Sequence, residues 1–130
     1  MAELAPGAEG VLERTVEAQH TTRRGDYDIF STPHLVLLLE EAAIEALAPY
    51  LRDDQASVGT KIEVAHTAAT LLGQTVKATA TVTEVDRRRV VFSIKVADDV
   101  EEIGTGTHER FVIDVPGFEE RLASKSAQLR

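Results

Sequence analysis

Apolar and polar positions change their period along the chain, and the changes divide it into elements. From Gly10 to Thr21 a loose alternation predicts a first strand, followed by a polar, irregular segment from Thr22 to Phe30. Thr32 and Pro33 then read as a helix start, with Thr32 as the N-cap. Pro33 suits the first helical position because a helix start leaves its N–H groups unpaired and proline has none. Leu, Ala and Glu carry the helix to about Tyr50, and the polar stretch Arg52-Asp53-Asp54-Gln55 ends it. Beyond that point the period becomes two. Val58, Thr60, Ile62, Val64 and His66 are expected on one face of a strand, with Lys61 and Glu63 on the other. Two further strands carry Val76, Ala78, Ala80 and Val82, then Val90, Phe92, Ile94 and Val96, joined by the turn Asp86-Arg87-Arg88. A turn near Asp98 and Asp99 leads into a long strand from about Glu102 to Val115, which Pro116-Gly117 closes. Phe118 and Leu122, four apart, predict a short terminal helix. The order β-α-β-β-β-β with tight turns implies an antiparallel meander, and one apolar helix laid on its face makes an α+β, two-layer domain over residues 1–130.

Composition narrows what this domain can be. A chain of 130 residues, 43% hydrophobic and 28% charged, is expected to be one domain that folds without disulfide or metal. It has no cysteine, so zinc ribbons, thiol nucleophiles and redox pairs are excluded. A net charge of -8 speaks against general nucleic-acid binding, which needs a surplus of Lys and Arg facing phosphates. The longest apolar stretch, around Leu35 to Leu39, is too short to span a bilayer, and the start around Glu3 and Glu9 lacks a basic-then-apolar signal pattern. A cytoplasmic protein without membrane attachment is the expectation.

The helix carries its charges unevenly. At about 100° per residue, Glu41 and Glu45 share a narrow sector that marks the solvent face. Glu40 falls elsewhere, among Val36, Ile44, Leu47 and Leu51, where a carboxylate needs a cationic or hydrogen-bonding partner. The bland alternative is a helix rotated far enough for Glu40 to reach solvent at a rim. His66 lies on the apolar face of its strand, where a lone histidine is commonly a satisfied core residue, and Thr32 is well explained as a cap alone. Together the three supply a hydroxyl, a carboxylate and an imidazole, the groups used in nucleophilic and general acid-base chemistry.

Three stretches give this set a context: Leu39-Glu40 through Ala48-Pro49-Tyr50-Leu51; Ser57-Val58-Gly59-Thr60 running to Val64-Ala65-His66-Thr67-Ala68; and Glu102-Ile103-Gly104-Thr105-Gly106-Thr107-His108-Glu109-Arg110. From Thr32 onward the chain resembles the fluoroacetyl-CoA thioesterase family of the hotdog superfamily. The resemblance implies the hotdog fold, with the β-α-β-β-β-β sheet wrapped around its helix, and hydrolysis of a small acyl thioester. It implies a homodimer whose active sites lie between the subunits. The family's catalytic Thr, Glu and His fall on Thr32, Glu40 and His66 without a gap, its strand glycine on Gly59, and its late-strand arginine on Arg110. One departure is visible. The family's namesake carries a longer, Phe-bearing lid before the helix, whereas Thr22 to Phe30 is short and polar, with Tyr27 and Phe30 as its aromatics. A substrate other than fluoroacetyl-CoA is therefore expected.

In such a site His66 would act as general acid-base, with Glu40 orienting it, activating water or attacking directly, and Thr32 positioning the reacting group or serving as nucleophile. Free N–H groups near His34 and Leu35, or the backbone at Gly59, could meet the charge growing on the thioester oxygen. Gly59 and Arg110 are the expected substrate-binding residues, Arg110 standing near the site mouth to meet the phosphates of coenzyme A. Arg87, Arg88 and Arg89 form a basic run at a turn, where a solvated loop is the simpler reading. His108, on the strand face of Arg110, is expected to be structural or to support a site residue from behind; His20 and His34 have no obvious partner. The four histidines do not cluster at ligand spacing, so neither metal nor cofactor is expected. A hotdog hydratase or dehydratase acting on an enoyl-CoA, and a non-catalytic acyl-CoA-binding domain, are the rival readings.

Overall fold

The computed structural model describes residues 3–129. Five strands form one antiparallel sheet: β1 (Glu9–Thr15), β4 (Gln55–His66), β5 (Thr75–Asp86), β6 (Arg89–Ala97) and β7 (Glu102–Asp114). Their spatial order is β1-β5-β6-β7-β4, so β5, β6 and β7 are the expected meander while β1 and β4 are its edges. The helix α1 (Thr32–Leu47) lies along the concave face, and a single turn of 3-10 helix, Ala48–Tyr50, continues it. A second helix, α2 (Val115–Ala127), follows β7; it is longer than the sequence suggested, has Pro116 in its first turn, and buries none of its residues.

The core forms where α1 meets the sheet. Leu35, Leu38, Leu39, Ala42, Ala43, Ala46 and Leu47 are buried against Val76, Ala78, Ala80, Val82, Phe92, Ile94 and Val96. Small residues set how closely the layers approach. Gly10 on β1 lies under α1 so tightly that a Cβ there would collide with the Ala42 carbonyl and approach Ala46 N to 2.5 Å. Both obstacles are helix backbone, which cannot step aside. Gly10→Ala is therefore expected to lower stability by about 1–3 kcal/mol or more, the range for overpacking, with thermal or urea unfolding as the check.

Two segments differ from expectation. The first strand ends at Thr15 rather than Thr21, and the chain turns through a 3-10 helix at Ala18–His20. Side chains stabilise that turn: the Glu17 N–H donates to His20 Nδ1 at 3.0 Å, and the Thr21 hydroxyl donates to the Ala18 carbonyl at 2.7 Å. The segment expected to be irregular is a β-hairpin, β2 (Thr21–Arg24) and β3 (Tyr27–Phe30), with Arg24 opposite Tyr27. Its two-residue turn, Gly25-Asp26, needs the positive φ that glycine accepts, and Gly25 has φ +58°.

Two phase corrections bear on the site. Ser31, not Thr32, is the N-cap: Ser31 is extended at φ -81°, ψ 149°, its carbonyl accepts the Leu35 N–H at 3.0 Å, and Thr32 is already helical. In β4 the register shifts between Gly59 and Lys61, leaving Thr60 as an extra residue of a β-bulge. The inward face therefore holds Gly59 with Ile62, Val64 and His66, instead of Val58 and Thr60.

Candidate active site

The helix start and the end of β4 meet first. Because Ser31 takes the capping position, the Thr32 hydroxyl is available, and Thr32 Oγ1 lies 2.8 Å from His66 Nδ1. Burial lowers the pKa of His66, with the Ala68 backbone acting in the opposite direction, so neutral imidazole is favoured. Its Nε2 is buried without a hydrogen-bond partner among the described residues. Such a nitrogen is uncommon and suits a group whose partner is substrate or catalytic water. Thr32 and His66 line one cleft of about 400 Å³, roofed by the β2–β3 hairpin. That size lies in the range of about 300–1,000 Å³ usual for small-molecule sites.

A second cluster forms farther along the same helix and strand. Arg110 is 4% exposed. It does not stand at a site mouth; its guanidinium is fixed by Ser57, through Nε to the hydroxyl at 2.8 Å and Nη2 to the carbonyl at 3.0 Å. Its Nη1 donates to Glu40 Oε1 at 3.3 Å and to His108 Nε2 at 3.2 Å. Since arginine cannot accept, His108 Nε2 must be the acceptor and Nδ1 must carry the proton it gives to the Lys61 carbonyl at 2.7 Å. Burial lowers the pKa of His108, the Lys61 carbonyl opposing and Arg110 adding to the effect, which agrees with that neutral tautomer. Burial also pulls the Arg110 pKa down while Glu40 raises it, yet the guanidinium keeps its charge. His108 thus holds both Arg110 and the bulge that turns Gly59 inward. A Cβ on Gly59 would sit 2.6 Å from Glu40 Oε1.

Glu40 is neither fully buried nor free: its side chain is 34% exposed and paired with Arg110. The stripe beside it is apolar but partly open, with Leu37 48% and Ile44 45% exposed. Glu41 reaches across to Arg14 at 2.9 Å. Within one chain the structure brings together Thr32 with His66, and Glu40 with Gly59 and Arg110. It does not bring the two groups together, because Thr32 and Glu40 stand about 12 Å apart along the helix at 1.5 Å per residue.

The basic run is neutralised locally. Arg87 pairs with Asp86, Arg88 with Asp114, and Arg89 with Glu84 and Glu109. His34 Nδ1 is 2.7 Å from the Ser31 hydroxyl, and its ring lies 5.4 Å from that of His20. Sequence reasoning missed Ser57 and the bulge at Thr60. A glycine inside a strand, Gly59, was the signal for the latter.

Residues 12–116 match the family described as fluoroacetyl-CoA-specific thioesterase. The chain belongs to that family. It is 43% identical over 99 residues to the fluoroacetyl-CoA thioesterase of Streptantibioticus cattleyicolor, spanning 76% of this chain and 71% of that protein. A solved structure of a fluoroacetyl-CoA thioesterase superposes with TM-score 0.88 at 35% identity, covering 95% of this chain and 98% of the other. A hot-dog-like protein from Thermanaerovibrio acidaminovorans follows at TM-score 0.83 and 30% identity, covering 92% and 91%. The fold is therefore the hotdog fold, and family membership places the chain among the thioester hydrolases that act on acyl-CoA.

Proposed function

We propose that this protein hydrolyses a small acyl-CoA ester to free acid and coenzyme A, in a homodimer whose active sites combine Thr32 and His66 of one subunit with Glu40 of the other. The observation that carries this reading is the Thr32–His66 pair with its unpartnered, buried Nε2 in a cleft. The neutral imidazole accepts a proton during attack on the thioester carbonyl. Two tautomers give two routes. If Thr32 donates its hydroxyl proton to Nδ1, threonine is primed as nucleophile and the acyl group passes through an ester on the enzyme. If Nδ1–H donates to Thr32, Nε2 is the base for water and Thr32 holds the ring in place. At the helix start the expected Leu35 donor is taken, its N–H being bound to the Ser31 carbonyl, so the His34 N–H and the bare backbone at Gly59 stabilise the oxyanion. Arg110 lies beneath Gly59 as a buried, fixed cation and keeps Glu40 in one position.

Assembly follows from the edge of the sheet. The strand β4 is 12 residues long and has β7 on one side only. Such an edge invites pairing with a second copy, and a two-fold pairing runs the strands in opposite directions. The Gly59–Glu40 end of one copy then lies by the His66–Thr32 end of the other, and Leu37 and Ile44 have a surface to meet. Sedimentation at micromolar concentration is expected to show a dimer; an active monomer would contradict both the assembly and the shared site.

Selectivity for fluorine is not expected. The cover over the cleft is the short β2–β3 hairpin, in which Phe30 borders the cleft but is 2% exposed and packed in the core, while Tyr27 is 62% exposed. One apolar contact discriminates by only about 1–3 kcal/mol even in a well-formed pocket. The values of kcat/KM for fluoroacetyl-CoA and acetyl-CoA should therefore differ modestly, and an exclusive preference for the fluorinated ester would contradict this. No helix among the described residues is long and apolar enough to cross a membrane. The cytoplasm, where coenzyme A esters are made and used, is the compartment this reading implies.

A further inference from the structure

The hairpin that roofs the cleft carries a cation with no assigned role. Alternation along β2 turns Thr22 and Arg24 toward the cleft they share with Thr32 and His66, and Arg23 to the opposite face. Arg23 is occupied there by Asp28 at 3.3 Å and by the Gly25 carbonyl at 3.1 Å. Arg24 is different. Its one hydrogen bond runs from Nη1 to the Arg23 carbonyl at 2.7 Å, and no carboxylate pairs with it among the described residues. In a chain of net charge -8, Arg24 is an exposed arginine at the cleft that no carboxylate of its own chain pairs with among the described residues.

We propose that Arg24 is a specificity residue that binds an anionic oxygen of the substrate, and that this oxygen belongs to a carboxylate at the far end of the acyl group. The inference rests on the thioesterase reading above and narrows its substrate class to mono-thioesters of short dicarboxylic acids. Anionic oxygens reach the site from two sources, the acyl group and the phosphates of coenzyme A. Arg24 shares a cleft with Thr32 and His66, where the thioester reacts, whereas the phosphates lie a full pantetheine arm away, so the acyl group is the better match. The guanidinium fork fits a carboxylate with two parallel bonds, which a neutral acyl chain cannot accept. Of the hairpin's two carboxylates, Asp28 is held by Arg23, and Asp26 in the turn makes no ion pair with Arg24 among the described residues.

The test uses thioether analogues, which bind without turning over: S-(2-carboxyethyl)-CoA against S-propyl-CoA, and the same pair on pantetheine, which lacks the nucleotide phosphates. Calorimetry on wild type should show the carboxylated ligand binding about tenfold or more tightly in both series. Arg24→Gln should abolish that difference, Arg24→Lys should restore part of it, and Arg23→Gln should leave it unchanged. Equal weakening of both CoA ligands by Arg24→Gln, with pantetheine ligands unaffected, would assign the guanidinium to phosphate and overturn the proposal. Loss of the dimer in Arg24→Gln would make it an interface residue and overturn it equally. Hydrolysis of acetyl-CoA with no carboxylate preference would contradict this inference alone. Release of thiol from no ester would contradict the thioesterase reading, and thioether binding would still decide the role of Arg24.

Discussion

Replacing His66 by Ala, or Glu40 by Gln, is expected to lower turnover of an acyl-CoA substrate by about a hundredfold or more, the scale of a general acid-base group. For His66 the reason is geometric: Thr32 fixes one ring nitrogen at 2.8 Å, and the other is buried and makes no hydrogen bond among the described residues. Removing the ring removes the proton acceptor and frees Thr32. Burial lowers the His66 pKa, so the neutral, basic form persists below the ordinary histidine range. Activity should accordingly survive mild acid and fall only at a pH below that range; an acid limb above it would contradict the assignment. Glu40→Gln keeps the shape of the side chain and removes the charge that Arg110 holds at 3.3 Å. Glu41→Gln is the control, because its pair with Arg14 is on the surface and worth no more than about 1 kcal/mol. An essential Glu41 with a dispensable Glu40 would invert the helix face on which the site is built.

Gly59→Ala is the second large effect, expected at about tenfold to a hundredfold in kcat with little change in melting temperature, since small displacements of catalytic groups cost rates of that order. The added Cβ falls 2.6 Å from Glu40 Oε1 and 3.3 Å from Arg110 Nη1. The first of these is the tip of a flexible, part-exposed side chain, so the fold can yield by moving the carboxylate off its place. Gly10 is the useful contrast, because there the obstacle is helix backbone and the cost falls on stability. Parallel kcat and thermal melts of the two variants separate the cases. Full activity in Gly59→Ala would show that Glu40 does not need its present position.

Much of this architecture was legible because period and burial coincide. Val76 to Val82 and Val90 to Val96 alternate in sequence and are buried in the sheet as that alternation predicts. Where the reading failed, one residue changed the phase. Thr60 is an extra residue in β4, and nothing in its chemistry separates it from Val58 or Ile62 as a strand residue; the neighbouring glycine alone marks the bulge. Ser31 and Thr32 are adjacent hydroxyl residues of similar capping ability, and only backbone dihedrals choose between them. The hairpin had its sign in Gly25-Asp26, a two-residue turn whose first strand, Thr21–Arg24, is too polar to read as a strand. The partner of Glu40 was out of reach for another reason: Arg110 lies 70 positions away, and periodicity says nothing about contacts at that range.

A thioesterase site shared between two subunits is tested by complementation. His66→Ala and Glu40→Gln proteins, each nearly inactive, are unfolded, mixed in equal amounts and refolded together, and free thiol released from an acyl-CoA ester is followed. In a mixed dimer one site then has intact Thr32, His66 and Glu40, while the other lacks both groups. Random mixing makes half of the dimers mixed, each with one working site, so a shared site should recover roughly a quarter of wild-type activity. Activity no higher than that of the separate variants, with mixed dimers shown to form, would place all three residues of each site in one chain and contradict it.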